Sequence, residues 1–133
     1  MPQRATRRRA GAALAASAAL AALAGPAAPP APAAAGYRVT LRVPGHHPKA
    51  GRRWPVTVTA SYRGRPVHAH LRYEYLFNRK VVSRQSNYAF TGRFTDHGFV
   101  WPARSIGVPL TLRAVVSSSH GTRRISYWVR VVR

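Results

Sequence analysis

The sequence predicts an all-β fold, a two-sheet sandwich of about seven strands, preceded by an N-terminal signal helix. Three observations predict it. From Tyr37 onward, apolar and polar residues alternate in short runs, the period of a strand with one buried face. The runs are parted by Gly, Pro and Asn, which favour turns, and no helical stretch interrupts them. Residues 1–35 are different in kind: Arg4, Arg7, Arg8 and Arg9 stand before an Ala/Leu run, and a Pro/Ala spacer follows, the plan of an export signal.

The apolar run, residues 10–24, spans roughly 22 Å as a helix at about 1.5 Å per residue, short of a hydrocarbon core about 30 Å thick. A cleaved signal is therefore expected rather than an anchor. Small residues suit cleavage after Ala24 or after Ala35. Arg7-Arg8-Arg9 leaves the general secretory and twin-arginine routes both open, although Ala10 and Gly11 replace the hydrophobic residues expected after a twin-arginine pair. Residues 36–133 then form one domain of usual size. The chain has no cysteine, so an apolar core and strand ladders must supply the stability that exported domains often draw from disulfides.

Within residues 37–43, Tyr37, Val39, Leu41 and Val43 face inward. After the loop PGHHPKAGRR, Trp54-Pro55 leads into a strand ending at Ser61, with Val56, Val58 and Ala60 inward. A turn around Gly64 and Pro66 precedes a long strand over 67–77, in which Val67, Ala69, Leu71, Tyr73, Tyr75 and Phe77 recur at every second position. Asn78-Arg79 makes a two-residue hairpin turn to a return strand, Lys80–Arg84, since Asn tolerates positive φ. Tyr88–Phe94 and Phe99–Trp101, interrupted by Gly92 and Asp96-His97-Gly98, give a fifth strand or a broken pair. The last two strands place Leu110, Leu112, Ala114 and Val116, then Ile125, Tyr127, Val129 and Val131, inside. Trp54 and Trp101, each before a proline, read as core caps. Seven short strands with turns between them fit an immunoglobulin-like or fibronectin-type-III-like sandwich better than a closed barrel.

The segments AGRRWPVTV (50–58), RYEYLFNRKVV (72–82), WPARSIGVPLTLRAVV (101–116) and ISYWVRV (125–131) resemble small exported immunoglobulin-like proteins of high-GC Gram-positive bacteria. Pro102, Gly107, Leu110 and Ala114 have the spacing seen where such domains cross between sheets. The Cys, Trp, Cys set of antibody domains is absent, and Leu71 and Tyr73 stand where their Trp would be. The resemblance implies an exported β-sandwich, secreted or associated with the cell wall, and carries no catalytic residue across.

In residues 36–133, 16 Arg and 2 Lys stand against Glu74 and Asp96, a net charge of +16. Such a surface attracts polyanions, although GC-rich coding also enriches arginine. With two carboxylates on separate elements, acid–base catalysis lacks its pair; Glu74 reads as an outward partner of Arg72 and Asp96 as a turn former. Ser117, Ser118 and Ser119 beside His120 fall in a turn with no orienting acid. No enzyme and no cofactor is expected.

His68 and His70 share one strand face and are the weak candidates for a metal, with His46-His47 as further ligands from a loop; nearby arginines oppose a cation, and no metal site is expected. A surface is the better candidate. If the strand over 109–117 lies between those over 67–77 and 123–132, one outward face gathers His68, His70, Arg72, Glu74, Arg113, Val115, Ser126, Trp128 and Arg130. Trp128 among arginines can stack on a ring while guanidiniums hold acidic groups, or it can cover a strand edge. Trp128, Arg72, Arg113, Arg130 and His70 are the candidate ligand residues. The expected partner is an acidic envelope polymer, in binding or adhesion, or alternatively another exported protein. Nucleic acid is disfavoured by export and by the lack of a reading motif, and no stable membrane insertion is expected after signal cleavage.

Overall fold

The computed structural model describes residues 33–85 and 87–133. The signal helix and the cleavage point after Ala24 lie outside the described residues. Nine strands form within them: β1 (Tyr37–Arg42), β2 (Val56–Tyr62), β3 (Arg65–Pro66), β4 (His68–Phe77), β5 (Lys80–Arg84), β6 (Tyr88–Thr91), β7 (Arg93–Asp96), β8 (Pro109–Ser118) and β9 (Gly121–Arg130). They make two antiparallel sheets, a β-sandwich. In the smaller sheet β2 pairs with β1 on one side and with β3 and β7 on the other. In the larger sheet the order is β5-β4-β8-β9, and β6 pairs with the first half of β4, beyond the stretch that β5 pairs with.

The every-other-residue pattern becomes the core because successive side chains on a strand point to opposite faces. Val56, Val58 and Ala60 of β2 are buried against Ala69, Leu71 and Tyr73 of β4 and Leu112, Ala114 and Val116 of β8. Each large side chain removed from water in this way contributes roughly 1.5–3 kcal/mol. Trp54 and Trp101 are both buried, with ring centroids 5.7 Å apart and Phe99 against each of them. The Asn78-Arg79 turn has positive φ at both residues, 49° and 64°, as a hairpin with the right-handed strand twist requires.

Three expectations change. Phe77 is 39% exposed instead of inward, while Leu76, on the outward side in one row with Thr111, is buried outside the core cluster; a register shift between Tyr75 and Leu76 leaves Val82 of β5 out of the pairing. Tyr88–Phe94 resolves into two strands in different sheets, β6 on β4 and β7 on β2, with Gly92 between them. Phe99–Trp101 is not a strand; Val100 makes an isolated bridge to Arg53, and a 3-10 turn at Ala103–Ser105 follows.

Two of the three passages of the chain between the sheets meet, the third being the segment from β7 to β8. Val67 carries the chain from β3 to β4 and Gly92 carries it from β6 to β7. A closed ring of backbone hydrogen bonds ties them to β2: Val67 N–H donates to the Ala60 carbonyl (3.3 Å), Ala60 N–H to Gly92 (2.8 Å), and Gly92 N–H to Val67 (3.0 Å).

The described fold begins before Tyr37. Ala34 N–H donates to the His120 carbonyl at 2.7 Å, the Ala34 carbonyl accepts from Tyr37 N–H, and Ala33 packs on the core. A chain starting at Gly36 should therefore be less stable than one starting at Ala33 by about 1 kcal/mol, read as a lower urea midpoint at unchanged slope. Equal midpoints would show that these contacts contribute nothing.

Candidate functional site

β4, β8 and β9 lie side by side, and their registers set the outward residues in crosswise rows: Leu76–Thr111–Trp128, Glu74–Arg113–Ser126, Arg72–Val115–Arg124 and His70–Ser117–Thr122. The expected face exists, with β8 at its centre. Along it the first and last rows are six residues apart, about 20 Å at the rise of a strand. The five candidate residues therefore divide into three groups.

The first group is a hollow around Trp128. Trp128 is 54% exposed. His46 slots between it and Tyr127, nearly parallel to both rings, with centroids 3.9 Å and 4.1 Å away. The His46 Nδ1 lies 2.7 Å from the Trp128 carbonyl oxygen, which only accepts, so this nitrogen carries the proton. One face of the indole is thus covered and fixed. The hollow beside it, about 590 Å³, is lined by Trp128 and Arg130 together with His47, Leu76, Asn78, Arg79 and Thr111, and no carboxylate borders it. Arg79 and Asn78 were not anticipated as site residues, and His47 was expected only as a loop ligand for a metal. The signal for Arg79 was present in the hairpin: a turn directly after β4 must end beside the row that holds Leu76 and Trp128.

The second group is an arginine cluster on Glu74. Sequence places this glutamate on the wet face as a surface ion pair; instead its side chain is 5% exposed, beneath three guanidiniums. Arg72 Nη2 donates to Oε1 at 3.0 Å, Arg113 Nε to Oε2 at 2.8 Å, and Arg84 Nε stands 3.5 Å from Oε1. Burial pushes the carboxyl up, but hydrogen bonds and charge from Arg113, then Arg72, outweigh it and hold the group below its ordinary value. One negative charge against three positive ones leaves an excess of two, and Arg72 Nε is buried with no acceptor among the described residues. Val115, expected outward and wet, is 4% exposed, because its cross-strand neighbours are Arg72 and Arg124, whose aliphatic stems can cover it.

His70 belongs to neither group. It pairs edge to face with His68, centroids 5.2 Å apart, and His68 Nδ1 lies 3.4 Å from Thr91 Oγ1. Among the described residues no cluster of three or more potential ligands surrounds them. Nor do the serines engage His120 as a base: its ring stacks on Tyr62 at 3.7 Å, and Ser118 Oγ accepts from its backbone N–H. Asp96, at the end of β7, caps Gly98 N–H at 3.0 Å and receives the Tyr73 hydroxyl at 3.4 Å across the sandwich. Burial, reinforced by the Asp96 charge, pushes the Tyr73 phenol far above its ordinary value, so it stays a donor.

No family model matches the chain, and no curated protein matches it. Among solved structures it is similar to the sporulation control protein Spo0M from Bacillus subtilis, with 12% identity and a TM-score of 0.47 over 74% of this chain. The chain spans about half of that protein's length, 50%.

Proposed function

We propose that this chain is an exported, non-catalytic, immunoglobulin-like domain, secreted or held at the cell wall, that binds acidic envelope polymers through the outer face of its larger sheet. The order β5-β4-β8-β9 opposite β1-β2-β7 supports the immunoglobulin-like reading, in which the third, sixth and seventh strands share one sheet and the first, second and fifth share the other. The observation that carries the binding reading is the hollow: a half-exposed indole, backed by His46, beside Arg79 and Arg130 with no carboxylate on its lining. A ring stacks on the indole while the arginines hold acidic groups. The arginine cluster on Glu74 extends positive charge along the same face, so a polymer meets several cations at once.

Polygalacturonate, which offers both sugar rings and carboxylates, is the probe, with polyphosphate as a ringless control. Its affinity is expected to fall steeply between about 50 and 500 mM salt. Trp128→Ala should weaken polygalacturonate about tenfold and polyphosphate hardly at all, while Arg79→Ala with Arg130→Ala should flatten the salt dependence for both. Equal affinity at both salt concentrations would overturn the reading. The exposed Phe77, Val82, Val100 and Ile106 favour the second reading, docking on another exported protein by apolar area, and such docking is insensitive to salt.

A further inference from the structure

A second concavity lies away from the charged face, on the inward side of the larger sheet. Tyr75, Leu110, Ser83 and Gln85 line it together with residues of the Phe99–Val108 segment; it measures about 390 Å³. Its floor is aromatic. The rings of Tyr75, Phe99 and Trp101 pack at 5.3–6.2 Å between centroids. Val82 and Val100, which also line it, are 57% and 44% exposed and add apolar surface at the site. Among so many apolar groups, two polar features stand out. Trp101 is 1% exposed, and its indole N–H is buried with no acceptor among the described residues. Three residues on, the exposed Arg104 lines the same cavity from the 3-10 turn, without a carboxylate partner among the described residues.

Buried donors are nearly always satisfied, so the orphan indole N–H of Trp101, a residue that lines the cavity, leaves room for an acceptor that the described residues do not supply. An apolar cavity of this size with a few polar groups is the usual form of a small-molecule site. We propose that the cavity binds an amphiphilic monocarboxylate. Its apolar body lies against Tyr75, Phe99, Val82 and Val100, and its carboxylate pairs with Arg104 and offers an oxygen to the Trp101 N–H. The aromatic floor selects for the tail; the single guanidinium and the indole donor select for one acidic head. This site is separate from the Trp128 hollow, and neither depends on the other.

Octanoate is the probe, with acetate (head without tail) and 1-octanol (tail without acid) as controls, and the three tryptophans give three indole N–H resonances to follow by NMR. Octanoate is expected to bind saturably and to shift the Trp101 resonance downfield, identified by its loss in Trp101→Phe. Arg104 is exposed, so Arg104→Ala keeps the fold; it should weaken octanoate about tenfold and leave 1-octanol unchanged. Acetate should not compete. The proposal fails if octanoate moves the Trp128 resonance and not that of Trp101, if Arg104→Ala binds octanoate as tightly as the parent, or if acetate displaces it at equal concentration.

Discussion

Replacing Glu74 by Gln is expected to cost about 2–3 kcal/mol at neutral pH and to lower Tm by roughly 10–20 °C in a domain of this size. The carboxylate is nearly fully buried, whereas its partners Arg72, Arg113 and Arg84 are 40%, 25% and 62% exposed. Removing one member of a fully buried pair costs about 3–5 kcal/mol, and solvent around the arginines reduces that figure. What remains is repulsion among three guanidiniums held on neighbouring strands with nothing to neutralise them. The pH dependence has a definite sign. The folded carboxyl titrates below its ordinary value of 4.5, so its stabilisation is complete above that pH and disappears as pH falls through the lower, folded value. Thermal unfolding followed by circular dichroism should show parent stability falling below about pH 4.5 and a Glu74→Gln profile that falls less in the same window. A variant as stable as the parent at pH 7 would show that the buried carboxylate contributes nothing net.

Gly92→Ala is the second large effect, about 3 kcal/mol. Its φ of +73° lies in the left-handed region, and a Cβ there would stand 2.8 Å from Cβ of Pro66. The strain alone is worth about 1–2 kcal/mol. The clash adds to it because a proline ring cannot rotate away and Pro66 sits in β3, next to the crossing at Val67. Relieving the contact would pull open the ring of hydrogen bonds among Ala60, Val67 and Gly92 that holds two of the three crossings. Gly64→Ala is the control, since φ is +79° there and no atom lies within 4 Å of the new Cβ. Urea unfolding should give Gly64→Ala the strain alone and Gly92→Ala at least 1 kcal/mol more, about the value of one lost hydrogen bond. Equal losses would mean that the corner yields freely.

Most strand positions and most of the inward set could be read from the chain, Phe77, Phe99–Trp101 and the split of Tyr88–Phe94 excepted, because side-chain alternation is local and has a period of two. Val56 to Ala60, Ala69 to Tyr73 and Leu112 to Val116 needed nothing beyond their neighbours in sequence to declare a buried side. The outward course of Trp128 followed in the same way from Tyr127 and Val129.

Contacts between residues far apart in sequence were decided only when the sheets closed. Glu74 reads as a wet residue because its own strand alternates, yet Arg113, 39 positions away, and Arg84 converge on it and exclude water. His46 reads from the sequence only as a candidate loop ligand for a metal, until the 46–50 segment runs along the end of β9 and places its ring on Trp128. The switch at Gly92 and the orphan N–H of Trp101 are of the same kind. Alternation fixes which side of a strand a residue occupies; burial, charge pairing and cavities depend on which strands become neighbours, and that is settled by long-range packing.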